Sequence, residues 1–270
     1  MKTSRRFSSQ AVSSGRGTAA SRVLAEEAAV AISYNGSSHA VVMATPDHLE
    51  DLAAGFTLTE GIVSSFDEIE SIDVVEGERG VDVQVRLATD ATERLEKRRR
   101  AMAGPVGCGM CGLESIDAAM REVPAVGDGV RLRPADVAAA VAAMAKAQML
   151  NHATRAVHAA GWFVPGKGLA ALREDVGRHN ALDKLIGAVA AENTMAAGAV
   201  VMSSRLSVEL VQKTAVAGCG VLIAVSAPTA LAVETAERAN ITLVAIARGE
   251  AFEVFTHPDR IAPGALPHVA

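Results

Sequence analysis

Residues 199–249, AVVMSSRLSVELVQKTAVAGCGVLIAVSAPTALAVETAERANITLVAIARG, decide the fold class. Three apolar runs stand out, Ala199–Met202, Val221–Val225 and Ile241–Ala247. Each ends in a polar loop: Ser203-Ser204-Arg205, Ser226-Ala227-Pro228-Thr229 and Arg248-Gly249. A helical pattern follows the first two, one closed by Gly218 and the other reaching about Ala239. Strands without alternation, spaced by helices, predict parallel strands covered on both faces. Right-handed crossovers then bring the three loops to one edge, at the carboxyl ends of the strands, where such sheets hold ligands. Arg205 and Arg248 would meet an anion there, and a helix starting after Ser226 would add N–H donors. Taken singly, each loop is explained by a helix cap at Ser226 and solvated arginines. Together the three loops favour a phosphate-bearing ligand.

Working outward, Gly161–Val164 and Leu169–Glu174 predict a hairpin around Pro165–Gly168, and Pro134 opens a helix running to about Leu150. Nearer the N-terminus, Glu26–Ser33 and His39–Met43 flank Asn35-Gly36, a hairpin signal. Thr45-Pro46-Asp47 opens a helix bearing Leu49, Leu52, Ala53 and Phe56, and two alternating strands follow at Ile69–Glu76 and Val81–Leu87. The expected organisation is a disordered tail over 1–21, an N-terminal α+β subdomain over 22–130 and a C-terminal α/β domain over 131–270. Half of the 270 residues are apolar, mostly small, which suits helices packed on buried strands. A net charge of −5 argues against general nucleic-acid binding. No stretch has the apolar length of a membrane-spanning helix, and the basic, serine-rich start lacks the apolar core of a signal peptide. Three cysteines make a disulfide framework improbable and predict a cytoplasmic protein with reduced thiols.

Two of those cysteines sit in a glycine frame, Gly107-Cys108-Gly109-Met110-Cys111-Gly112. The spacing suits a nucleophile with a resolving thiol, half of a zinc site, or a persulfide carrier. Lys97, Arg98, Arg99 and Arg100 lie upstream, where they favour a helix C-terminus and would also hold a nearby thiolate. Cys219, before an apolar strand, reads as a buried small residue. The run Arg173–Lys184 concentrates acids, bases, an amide and an imidazole at a strand-to-helix junction. Asn180 would cap that helix and leave Arg178 and His179 exposed for a ligand; a self-satisfied set of surface ion pairs is the competing reading. The alternative of a zinc-dependent deaminase-like hydrolase rests on His48-Leu49-Glu50 followed by the cysteine pair. The gap is long, and glycine rather than proline precedes Cys108.

The cysteine motif, the run Glu174–Lys184, the loop Ser226–Thr229, the segment around Arg248-Gly249 and the stretch Thr45–Val63 resemble, in this order after Thr45–Val63, the motifs of the FdhD family of sulfur carriers. The likeness covers most of the chain beyond about residue 22. It implies a cytidine-deaminase-like C-terminal layer fold without the deaminase zinc, and a homodimer. It implies sulfurtransferase activity, with sulfur taken from a cysteine desulfurase as a persulfide on Cys108, assisted by Cys111. The acceptor would be the molybdenum cofactor, Mo-bis(molybdopterin guanine dinucleotide), before its insertion into formate dehydrogenase. Ile246, Ala247, Arg248, Gly249, Glu250 and Ala251 would lie where the family holds that cofactor. Two departures concern pocket shape: Arg155 where a small residue is usual, and Ser203-Ser204-Arg205 where Ser-Gly-Arg is common.

Overall fold

The apolar runs of the C-terminal half become the centre of a six-stranded sheet. The computed structural model describes residues 1–102, 123–190 and 194–262. Strands β7 (His158–Val164), β8 (Gly168–Asp175), β9 (Ala199–Met202), β10 (Val221–Ala224), β11 (Thr242–Arg248) and β12 (Ala251–Val254) lie in the order 12-11-10-9-7-8. The three runs pair in parallel, β9 with β10 and β10 with β11, while β7, β8 and β12 join antiparallel. Both faces are covered, which is why these strands do not alternate. Val200, Met202, Leu222 and Leu243 pack with helices α5 (Arg178–Ala190), α6 (Val208–Val216) and α7 (Ala230–Arg238). Val201, Val221, Ile223 and Val244 pack with α3 (Pro134–Ala147) on the other side. That helix stops before Gln148, and a short α4 (Met149–Thr154) follows, so the predicted single helix to Leu150 is two.

A second sheet, in the order β4-β3-β6-β5, is formed by β3 (Ala28–Tyr34), β4 (Ser37–Ala44), β5 (Ile69–Gly77) and β6 (Gly80–Leu87). Asn35 and Gly36 take φ of 49° and 81°, as a tight hairpin turn between twisted strands demands. The inner face, with Val30, Ile32, Val83 and Val85, packs on α1 (Leu49–Thr59) and α2 (Thr89–Met102) through Leu52, Ala53 and Leu95. The basic stretch Glu93–Met102 therefore continues a helix. The outer face carries Ala29, Ala31, Val41, Met43 and Val75, and Val41 and Met43 are 66% and 50% exposed.

The expected disordered tail is instead a hairpin, β1 (Ser4–Ser13) with β2 (Arg16–Ala25), paired along all ten positions. The two larger sheets are joined by α1 crossing α5. A Cβ on Gly55 would lie 1.8 Å from the Asp183 carbonyl oxygen, and one on Gly187 would lie 2.0 Å from that of Asp51. Only paired glycines let these backbones approach so closely. Among the described residues no helix is long and apolar enough to cross a membrane.

Candidate functional site

Strand direction gathers the site. The carboxyl ends of β9, β10 and β11 share one edge, as the sequence predicted. Because β7 runs antiparallel to β9 and β8 antiparallel to β7, the start of β7 and the end of β8 arrive at the same edge. His158, paired with Asp175, and the opening turn of α5 thus join Ser203–Arg205, Ser226–Thr229 and Ile246–Gly249 there.

The loops are clamped to one another. Ser203 Oγ accepts from Ala159 N at 2.7 Å, and Ile246 N donates to Ser226 O at 3.3 Å. Leu206 N donates to Ala227 O, and Thr229 N to Leu206 O. The cap of α7 is Thr229, whose side chain accepts from Ala232 N at 3.2 Å; Ser226 is not the cap the sequence suggested. Ser204 does not stand among the residues with positive φ, so serine fits there without strain, whereas Arg155 closes α4 at φ 59°.

Ile246 is the irregular point of the edge. Its φ is 55°, a conformation that a β-branched residue adopts only when its surroundings impose it. The pairing of β11 with β12 shifts register between Ala245 and Arg248, so one extra residue is inserted. Ala245 packs in the core on one side of the sheet and Ala247 in the core on the other, although two residues apart in a regular strand share a face. The bulge leaves Ile246, Arg248, Gly249, Glu250 and Ala251 exposed at the rim, with Ala247 buried beneath them. Gly249, at φ +60°, makes the turn into β12.

At the junction of β8 and α5, the run Arg173–Lys184 divides into a buried scaffold and an exposed tip. Asp175 is fully buried, and its Oδ1 accepts from Gly177 N and Asn180 Nδ2. Its Oδ2 accepts from Thr45 N at 3.0 Å and from Lys184 Nζ at 2.6 Å. Lys184 also donates to Thr45 O, and burial pushes its pKa down against the pull of Asp175. Asn180 lies inside the helix and donates to Met43 O as well as Asp175, so it ties elements together rather than capping. Glu174 accepts from Leu150 N and Asn151 N at the start of α4. Asp183 accepts from Thr59 Oγ1 and Lys213 Nζ, and burial holds its carboxyl above the usual range. Lys213 also donates to Glu60; burial alone would lower its pKa, but Asp183 and Glu60 together outweigh it and raise it. Most of this run is therefore architecture.

Arg178 and His179 form the tip. Arg178 Nε is inaccessible to water and has no hydrogen-bond partner among the described residues. An unpartnered donor of this kind invites an acceptor from beyond the described residues. The pKa of His158 is lowered first by burial and then by the Arg178 charge, with Asp175 opposing. That of His179 is lowered by burial and Arg178 against the pull of Glu209. His179 Nε2 lies 3.1 Å from Glu209 Oε2, and Ser207 Oγ donates to the same carboxylate at 2.8 Å. Ser207 and Glu209 escaped notice in the sequence, where Ser207-Val208-Glu209 signals only a helix start. Arg205 and Arg248 are exposed, and among the described residues neither enters an ion pair. Cys108 and Cys111 lie outside the described residues. Cys219 is fully buried, donates toward Gly198 O and Val221 O, and its thiol is pushed up by burial, as a packing residue's is. His48 stands exposed at the start of α1 between Asp47 and Asp51, and among the described residues no three His, Cys, Asp or Glu gather as a metal site.

Both lowered histidines have one expected consequence. Below their ordinary value of 6.5 the unfolded chain binds protons that the folded chain resists, so stability is present above that pH and is lost as pH falls. Thermal melts between about pH 7.5 and 5.5 should show a falling midpoint. Replacing His158 and His179 by Gln should flatten that slope; an unchanged slope would place its origin elsewhere.

The fold and this edge define a mixed α/β protein whose sheet rim presents three arginines suited to an anionic ligand. The model of the FdhD/NarQ family matches residues 25–262. The chain belongs to the FdhD/NarQ family. It is 56% identical to a protein of Agrobacterium fabrum named "Sulfur carrier protein FdhD", over 95% of this chain and 96% of that one. A protein of the same name from Brucella abortus is 55% identical over 89% of this chain and 90% of its own. A solved structure of a candidate formate dehydrogenase accessory protein from Desulfotalea psychrophila superposes with a TM-score of 0.77 at 26% identity, over 96% of this chain and all of that one.

Proposed function

We propose that this protein is a sulfur carrier in the maturation of formate dehydrogenase. The observation that carries the reading is the 56% identity, across nearly the whole chain, to a protein named as a sulfur carrier. On this reading the Cys108 thiolate attacks the outer sulfur of a cysteine desulfurase persulfide. It takes that sulfur as its own persulfide and frees the donor thiol. Delivering the sulfur as sulfide needs two electrons. Attack by Cys111 on the Cys108 sulfur supplies them, closes a Cys108–Cys111 disulfide, and leaves a dithiol reductant to restore the pair.

The acceptor proposed is Mo-bis(molybdopterin guanine dinucleotide), acting as substrate. Its pyrophosphates suit the donors at the rim: Arg178 Nε, unpartnered among the described residues, the exposed Arg205 and Arg248, and the Ser226 hydroxyl, while the loop carbonyls of Ile246–Ala251 suit the N–H groups of its guanines. His179, held by Glu209, offers a further polar contact. The same reading includes a cytidine-deaminase-like layering of the C-terminal half, a homodimer and a cytoplasmic setting.

The test is sulfur loading. The purified chain is incubated with a cysteine desulfurase and cysteine, and its intact mass is measured with and without reductant. A reductant-labile gain of one sulfur that disappears in Cys108→Ala is expected. No gain, or a gain that survives in Cys108→Ala, sinks the carrier assignment.

A further inference from the structure

Among the described residues, the outer face of the sheet β4-β3-β6-β5 stays open to solvent, and the hairpin β1–β2 stands largely exposed, with β2 near α4. A two-stranded ribbon is marginal in water alone, yet this one has ten paired positions, and nearly all of its residues are exposed. One of its faces carries Phe7, Ala11, Ala20 and Leu24, flanked by Arg5 and Arg22. Phe7 and Leu24 are about two-fifths exposed. The sheet's outer face presents Ala29, Ala31, Val41, Met43 and Val75, and all of these except Met43 line a shallow, open depression reaching Asp82. A half-covered sheet ordinarily turns polar residues to water, so this face is built to be covered.

Charge identifies the occupant. Residues 1–25 contain Lys2, Arg5, Arg6, Arg16 and Arg22 and no acid, so every Asp and Glu of an acidic chain lies beyond them. Among the described residues only Arg5 of this group has an acidic partner, Glu26 at 2.7 Å. The outer face and the edge beside it carry Asp73, Asp82, Glu70, Glu76 and Glu78 against Arg79 and Arg86, an acidic excess. The ribbon of a given chain does not cover its own outer face, since Val41 and Met43 stay exposed, and β2 instead rests near α4.

We infer that the β1–β2 ribbon of one copy lies across the outer face of β4-β3-β6-β5 of a second copy, and reciprocally. Sheet packs on sheet, basic rim meets acidic rim, and the exchange closes with two-fold symmetry. This rests on the homodimer included in the proposed function and adds where the copies meet.

Sedimentation velocity on the full chain tests it, without any sulfur donor. The wild type should self-associate. An arm variant, Phe7→Glu with Arg22→Glu, and a face variant, Val41→Glu, should each weaken association at least tenfold while keeping the far-UV dichroism of the wild type. Mixed together they should associate, because a heterodimer keeps one intact arm-to-face contact. A mixture that stays monomeric, or variants that dimerise like the wild type, overturns the arm exchange and leaves the homodimer standing. A monomeric wild type removes both, and sulfur loading reports separately on the carrier chemistry.

Discussion

Lys184→Met is expected to lower folding stability by about 3–5 kcal/mol, read as a shift of the urea midpoint at unchanged slope. The size follows from where the charge sits. Lys184 and Asp175 both have fully buried side chains, and the ammonium joins Asp175 to the backbone of Thr45. A pair of this kind contributes little against an apolar replacement of both partners. Removing one partner strands the other's charge in a medium that cannot solvate it, and that larger cost governs here. Asp175 would keep Thr45 N, Gly177 N and Asn180 but lose its only cation among its hydrogen-bond partners. Methionine fills the volume, so a cavity contributes little and the loss reads electrostatics. A loss below about 1 kcal/mol would mean that the carboxylate is neutralised or relaxes into water.

Gly187→Ala is expected to cost about 3 kcal/mol or more, and Gly55→Ala to behave alike. Helix propensity pushes the other way. Alanine in a helix interior is favoured over glycine by about 1 kcal/mol, so on local grounds both changes stabilise. Packing decides the sign, because the new methyl carbon meets backbone of the facing helix: Asp51 O for Gly187 and Asp183 O for Gly55. A carbonyl cannot rotate aside as a side chain does, so the helices must part. Parting α1 from α5 also lengthens the Thr59 contact to Asp183 and strains Lys213, which bridges Asp183 to Thr59 and Glu60. Denaturant melts of the two variants check this, and stabilisation in either would show that the crossing is looser than described.

The parallel core was legible because its strands are buried on both faces. Ala199–Met202 and Val221–Val225 read as continuous apolar runs, and the edge they imply is the edge observed. The bulge at Ile246 was not, since a β-branched residue at positive φ has no sequence signature and is imposed by the register of β12. The run Arg173–Lys184 is rich in reactive groups, but Asp175 and Lys184 close on Thr45, Glu174 on the start of α4, and Asp183 on Lys213 with Thr59, all outside the run. Local sequence cannot reveal partners at that separation, so buried scaffold and accessible tip look alike in it. The N-terminal ribbon has no apolar alternation to read: serine, glycine and arginine dominate it, and its few large apolar residues are split between its faces, Phe7 and Leu24 on one and Val12 and Val23 on the other. Its Ser14-Gly15 turn, with φ of 50° and 77°, was the available cue.

The ties between α1 and α5 bear on how such a protein can be divided. The two larger sheets lie on either side of residue 130 in the chain, yet the carboxylate at the root of the sheet edge is completed by Thr45, and Lys213 by Thr59 and Glu60. A transplant of the C-terminal half alone would carry a buried acid and a buried base stripped of part of their coordination. Modular exchange of this edge between relatives must therefore take the helix Leu49–Thr59 along with it, and the unit that can be inherited intact is the pair of halves.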